Sequence, residues 1–250
     1  MPDTKKEIWY ASSMRPYPED EPWFYDTKNY LPLMDIENHW KELKDEILDF
    51  IKEEDSKFLS SKLLYENIDI NNGCKAIMFL FWGAKISNQF KKKCPKTIAY
   101  LQKMPGLVSL SISQLLPNST LAEHTGDTNA ILRCHLGVDI PSGLPDCGLT
   151  VNGEKRSWEE GKWIIFNDAY KHSAINDTKR RRLIVIADFI RPEFIHRKNI
   201  ICAFILTRHV SYIYENVKFI TRMPVILKTI LFAFFLGVIY FLKPVYNSFR

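Results

Sequence analysis

The strongest constraint on the fold of this chain is a change of hydrophobic period near residue 107. From there to residue 190, five runs are rich in β-branched or aromatic residues and bounded by turn residues: Leu107–Leu115, Ala130–Ile140, Cys147–Val151, Lys162–Phe166 and Arg182–Ile190. Asn152-Gly153, between CGLTV and EKRSW, is a two-residue hairpin signal, because both central positions of a type I′ turn need positive φ. Short strands at this spacing, with no helical pattern between them, predict two antiparallel sheets closed into a barrel. Upstream the period is helical. Ile36, Trp40, Leu43, Ile47 and Ile51 predict one amphipathic helix over 35–54. The apolar run Ala76 to Trp82 reads as a buried strand, and Pro95 opens a short helix through Met104. Residues 1–34, rich in Pro, Tyr and Asp, are expected to wrap the domain as an extended arm.

With 250 residues, 46% of them hydrophobic and 25% charged, the chain can bury a sizeable core and is not of disordered composition. Its net charge of +5 suits an anionic membrane surface or an anionic small ligand. No pattern of a nucleic-acid module accompanies that charge, so no nucleic acid is expected as partner. The five cysteines are scattered and none forms CxxC, which excludes a zinc ribbon or a thioredoxin motif and suits reduced thiols.

The N-terminus lacks the apolar stretch of a signal peptide, so the folded domain is expected on the cytoplasmic side. Near the other end, Met223–Leu242 holds twenty residues with one charge, Lys228. At ~1.5 Å per residue this is about 30 Å, the thickness of a hydrocarbon core, and it predicts a single C-terminal transmembrane helix over 223–242. The alternative is a core helix, but a fold that looks complete by residue 192 offers it little to pack on. Within the linker 193–222, Ile200–Tyr214 is apolar but broken by Arg208 and His209, as an interfacial helix would be. Lys218 and Arg222 on one flank, against Lys243 and Arg250 on the other, leave the orientation undecided by charge.

Three of six histidines fall in the predicted barrel or its loops: His124, His135 and His172. Imidazoles brought to the ends of adjacent strands are one way a barrel builds a site for iron, copper or zinc; without further context, ordinary core or surface histidines are commoner. Side-chain alternation supplies context. Arg133 and His135 share one strand face, as do Ser111 and Ser113, and as do Arg182, Ile184, Ile186 and Asp188. If these faces point inward, two guanidiniums enter the barrel with few acids beside them. A buried arginine needs an anion, so the missing charge is expected to arrive with a ligand such as a dicarboxylate. Lys179, Arg180 and Arg181 read as a solvated run, whereas Arg182 leads a strand.

Three longer segments, HTGDTNAILRCHLGVDIP (124–141), WEEGKWIIFNDAYKHSAIN (158–176) and RLIVIADFIRP (182–192), follow CPKT (94–97), Pro-Gly-Leu (105–107) and SISQLLPNSTLAEH (111–124). This ordered set resembles the catalytic domain of the aspartyl/asparaginyl β-hydroxylases, over 35–192. The resemblance implies a double-stranded β-helix of jelly-roll or cupin type, mainly β with flanking helices. It also implies an Fe(II)- and 2-oxoglutarate-dependent dioxygenase that consumes O2 and releases succinate and CO2 as it hydroxylates an unactivated C–H. By position, His124 and His172 would bind the iron as catalytic residues. Arg182 and Ser113 would hold the distal carboxylate of 2-oxoglutarate, and Arg133 and His135 would lie near its chelating end. Most of the wider superfamily adds a carboxylate two residues after the first histidine; here that position is Gly126. Water or Asp127 would complete the shell, with Asp168 in a supporting or structural role. The substrate implied first is the β-carbon of Asp or Asn in a peptide or amino acid. A lipid acyl chain of the lipid A type is the alternative, and a barrel retained as a non-catalytic scaffold is a third reading.

Overall fold

The computed structural model describes residues 7–18, 20–60, 73–215 and 222–242. Two antiparallel sheets dominate it. The larger has eight strands: β1 (Phe24–Tyr25), β2 (Leu59–Ser60), β3 (Cys74–Phe81), β4 (Ala84–Lys85), β5 (Leu107–Leu115), β7 (Ile131–Asp139), β10 (Trp163–Phe166) and β12 (Arg182–Ile190). The smaller holds β6 (Ser119–His124), β8 (Cys147–Val151), β9 (Glu154–Arg156) and β11 (His172–Asn176). Their orders are β1-β10-β7-β12-β5-β3-β2, with β4 paired to β3, and β6-β11-β8-β9. The expected mainly β, jelly-roll architecture is therefore what the chain adopts. The β8–β9 hairpin turns at Asn152 (φ 45°) and Gly153 (φ 86°), as the Asn-Gly pair requires.

The long central strands are buried along almost their whole length because the larger sheet is covered on both faces. On its outer face Leu132, Cys134, Leu136, Leu183, Val185 and Ala187 join a core with helical residues Leu43, Ile47 and Phe50. On its inner face Leu115, Phe166 and Ile184 meet Leu149, Val151 and Ala174 of the smaller sheet. Each buried Val, Leu, Ile or Phe among them contributes roughly 1.5–3 kcal/mol of transfer free energy. Period-2 alternation thus sends one set of apolar residues outward to the helices and leaves the inner face to carry both apolar residues and the polar side chains of the interior.

The helical layer differs from expectation in detail. Instead of one helix over 35–54 there are two, α1 (Leu31–Asn38) and α2 (Trp40–Glu54), broken at His39 (φ −103°, ψ 13°). The His39 imidazole hydrogen-bonds the Asp35 carbonyl oxygen, which ends α1. α3 (Gln89–Lys93) precedes α4 (Pro95–Leu101), which starts on Pro95 but stops short of Met104.

The C-terminal region requires two corrections. α5 (Lys198–Glu215) is not merely an interfacial segment: Ile201, Cys202 and Ile205 are buried against Val108, Ile131 and Ile190, so the core extends beyond residue 192. α6 (Val225–Phe241) is 17 residues long, and among the described residues no helix is long and apolar enough to cross a membrane. The transmembrane helix expected over 223–242 is therefore unsupported. Pro224 fixes the start of α6, and at ~1.5 Å per residue its rise falls short of a 30 Å core. No α6 residue is buried, and Val225, Ile226, Phe234 and Phe241 are 78%, 70%, 63% and 81% exposed. The flanking Lys218, Lys243 and Arg250 lie outside the described residues.

Candidate active site

Between the two sheets lies a cavity into which every candidate site residue projects: Ser113 from β5, His124 from β6, Arg133 and His135 from β7, His172 from β11 and Arg182 from β12. The expected alternation accounts for this convergence, since Ser111 shares the lining with Ser113, and Ile184 and Ile186 with Arg182.

His124 is the last residue of β6 and His172 the first of β11, and the two are direct cross-strand partners. Such partners place their Cβ atoms roughly 5 Å apart, and here the ring centroids are 4.1 Å apart. His124 Nδ1 lies 2.8 Å from the Ala122 carbonyl oxygen, and His172 Nδ1 lies 2.9 Å from that of Tyr170. Each Nδ1 therefore carries the proton and donates it to the backbone, leaving both Nε2 atoms with lone pairs, the form in which imidazole ligates a metal. Burial holds both rings neutral. It lowers the His124 pKa to about 4, helped by the Arg133 charge, and takes that of His172 well below its usual range, with His124 adding to the effect.

The two arginines are held in opposite ways. Arg133 Nε and Nη2 donate to the two Asp188 oxygens at 2.9 Å each, and Nη1 lies 2.6 Å from Asp168 Oδ1. The expectation that both arginines await an external anion fails for Arg133. Antiparallel register sets Asp188 directly opposite it on β12, and the loop before β11 adds Asp168. Arg182 is different: it is 2% exposed, and its Nε and Nη1 have no hydrogen-bond partner among the described residues. Its guanidinium stacks over Trp158, 4.6 Å from the ring centroid, and burial lowers its pKa. Trp158 was not foreseen as a site residue; only its place in the WEEGKW segment marked it. Ser113 sits beside this arginine on the cavity wall, its hydroxyl 3.9 Å from the Cys74 sulfur. Both ring nitrogens of buried His135 also lack partners among the described residues, and burial with Arg133 and Arg182 nearby keeps that ring neutral.

Gly126, where an acid stands in the wider superfamily pattern, has a steric reason. A Cβ there would fall 1.5 Å from Asp168 Oδ2, so the Asp168 carboxylate occupies the space that a side chain at 126 would need. The Gly126 amide also donates to the Asp168 carbonyl at 2.7 Å. Asp168 Oδ1 is 3.4 Å from His172 Nε2. Burial pushes the Asp168 carboxyl up to about 7, with Arg133 pulling down and Asp188 pushing further up. Asp127 points elsewhere: its Oδ2 is 3.3 Å from His209 Nε2 on α5.

Among the described residues no group of three or more His, Cys, Asp and Glu side chains is arranged to hold a metal ion. What does fit a divalent ion is the pair of neutral imidazoles, each with its Nδ1 proton held by a backbone carbonyl and its Nε2 lone pair left for a metal. An orphaned guanidinium in the same cavity fits an incoming carboxylate.

The family model for aspartyl/asparaginyl β-hydroxylase matches residues 37–192. The chain is 32% identical over 170 residues to the ornithine lipid ester-linked acyl 2-hydroxylase of Rhizobium tropici, covering 67% of this chain and 60% of that protein. It is also 32% identical over 183 residues to the aspartyl/asparaginyl β-hydroxylase of Homo sapiens, covering 69% of this chain and 23% of that one. Among solved structures, a Pseudomonas putida prolyl-4-hydroxylase overlays with a TM-score of 0.43 at 14% identity, over 60% of this chain and 86% of that one. This chain thus spans less than two thirds of the length of each of these two relatives. By the match over 37–192 and the two long alignments, it belongs to the aspartyl/asparaginyl β-hydroxylase family of hydroxylases.

Proposed function

We propose that this chain is an Fe(II)- and 2-oxoglutarate-dependent dioxygenase whose first substrate class is the β-carbon of an Asp or Asn residue. The observation that carries this reading is the juxtaposition, in one cavity, of a paired-imidazole donor set and an arginine without a counter-ion. His124 and His172 would hold the iron through Nε2. Arg182 and Ser113 would take the distal carboxylate of 2-oxoglutarate, while His135 would offer the chelating end an uncharged surface beside Arg133. Bound iron, with 2-oxoglutarate and O2, supplies the C–H-hydroxylating chemistry that yields succinate and CO2. The chain's own work is positional and electrostatic. The Ala122 and Tyr170 carbonyls fix the tautomers, Asp188 and Asp168 neutralise Arg133, and the apolar walls Leu121, Leu149 and Ile186 keep water out.

A lipid acyl chain is the second substrate reading. The exposed apolar surface of α6 favours it, as does the similarity to the Rhizobium acyl 2-hydroxylase. In that case the chain would work at a membrane surface with its site on the cytoplasmic side. Succinate release should be measured with Asp-containing peptides and with an acyl-chain aminolipid, with and without Fe(II). Iron-dependent release is expected, and it should fall to background in His172→Ala while that variant keeps the wild-type circular dichroism. Turnover undiminished in His172→Ala would remove the metal assignment; turnover with lipid alone would make the second substrate the first.

A further inference from the structure

Both loops that carry the imidazoles are stitched to the N-terminal arm, which lies outside the family match over 37–192. After His124, residues 127–129 are bonded to residues 7–11. Trp9 N donates to Asn129 Oδ1 at 2.8 Å, the Thr128 hydroxyl donates to the Trp9 carbonyl at 2.6 Å, and the Ala11 amide donates to the Asp127 carbonyl at 2.9 Å. Before His172, residues 167–170 are bonded to residues 17–23. The Asn167 amide donates to the Trp23 carbonyl at 3.0 Å, its Nδ2 donates to the Tyr17 hydroxyl and to Glu21 Oε2, and the Tyr170 hydroxyl donates to the Glu21 carbonyl at 2.7 Å. Tyr170 is also the residue whose carbonyl fixes His172.

The two halves meet at one ion pair. Arg191, 4% exposed, donates Nη1 to Glu21 Oε2 at 2.5 Å and Nη2 to Glu21 Oε1 at 2.8 Å, while Nη1 also reaches the Asn129 carbonyl at 3.3 Å. One carboxylate therefore connects the arm, the loop before His172 and, through Arg191, the loop after His124. Between β6 and β11 themselves the pairing shifts register just past His172, so the ladder alone holds this end of the pair weakly.

We propose that residues 7–18 and 20–24 form a strap that sets the separation of the two imidazoles, with Glu21 as its central positioning residue. The proposal rests on the reading of His124 and His172 as metal ligands, and Mn(II) alone tests both. Mn(II) is titrated into the purified full chain, with free Mn(II) read by electron paramagnetic resonance. Glu21→Gln keeps the side chain's shape and removes the charge that ties Arg191 to the arm, while Arg191 keeps Glu193 Oε1 at 2.8 Å; a roughly tenfold or greater loss of Mn(II) affinity is expected, the scale of losses at groups supporting metal-bound histidines. Hydrogen exchange at the amides of Asn129 and Asn167 should accelerate in the same variant without metal. Ile47→Val, which loosens the helical core far from these loops, should lower Tm while leaving Mn(II) affinity unchanged. Should Glu21→Gln not fold, Tyr17→Phe keeps the ring and loses only the hydroxyl, which donates to Glu21 and accepts from Asn167; a loss of about fivefold or more is expected, the worth of one to two hydrogen bonds. Wild-type Mn(II) affinity in the folded Glu21 or Tyr17 variant, beside a clear loss in His172→Ala, would overturn the strap. Wild-type affinity in His172→Ala as well would overturn the metal reading and the strap with it.

Discussion

The cavity has two guanidiniums with opposite circumstances. At one end Arg133 is surrounded by acids of the same chain, Asp188 in bidentate contact and Asp168 at 2.6 Å. At the other, Arg182 is more deeply buried, and its Nε and Nη1 have no partner among the described residues as it rests on the face of Trp158. A buried charge without compensation costs several kcal/mol, so the two arginines cannot serve the same purpose. Arg133 is part of the folded frame and holds together the strand and loop that flank the imidazoles. Arg182 keeps an unmet demand, and in the proposed function the cosubstrate meets it. Two inward arginines in one barrel teach that cationic lining by itself does not identify a ligand site; the partners of each must be counted.

The largest expected effect comes from breaking the satisfied end. Arg133→Met should strand Asp188 and Asp168 in the interior and destabilise the protein by about 3–5 kcal/mol, read as a lower midpoint in urea unfolding at pH 7. A midpoint within experimental error of wild type would mean that the acids are neutral without their arginine. The same substitution at the other end should behave in the opposite sense. Arg182→Met is expected to leave the ligand-free stability unchanged or raised, but to weaken 2-oxoglutarate by about 2–5 kcal/mol, roughly thirtyfold or more. The check is the rise in Tm that 2-oxoglutarate induces, present in wild type and lost in the variant. An unchanged rise would assign the cosubstrate to another group.

A third effect is shared by both ends and is graded by pH. The unfolded chain protonates its histidines near 6.5, whereas His124 resists until about 4, and burial likewise holds His135 and His172 neutral. Between these values the unfolded state binds more protons, so stability should fall as pH drops through that window, by up to about 1.4 kcal/mol per pH unit for each ring. His124→Gln should make the decline shallower between pH 6.5 and 4.5. An equal slope in the variant would show that this ring does not govern the acid limb.

How much was legible beforehand follows from the range of the interactions. Alternation along Leu107–Leu115, Ala130–Ile140 and Arg182–Ile190 put Ser111 with Ser113, Arg133 with His135, and Arg182 with Ile184 and Ile186 on shared faces, and the cavity shows that these faces point inward. The Asn152-Gly153 turn was equally readable, because a two-residue loop depends on its own backbone angles. The break at His39 was hidden by the unbroken apolar period across it, since a helix can stop without interrupting its pattern. The C-terminal apolar stretch predicted a helix, but 17 residues of helix and the burial of α5 against the barrel replaced the expected span and interfacial segment. Asp188 shares a strand face with Arg182 by alternation, yet its partner depends on which β7 residue lies opposite, and that is a matter of register.

Taken alone, the amino-acid sequence determined the strand faces, the hairpin and the residue types available to the cavity, all of which obey rules acting over a few positions. Only the tertiary structure decided which charges are paired. It joined Arg133 to an acid 55 residues away, drew Glu21 to Arg191 across 170 residues, and filled the space above Gly126 with the Asp168 carboxylate. Electrostatic satisfaction in a low-dielectric interior depends on which distant segments are brought within about 3 Å, and no local period encodes that distance.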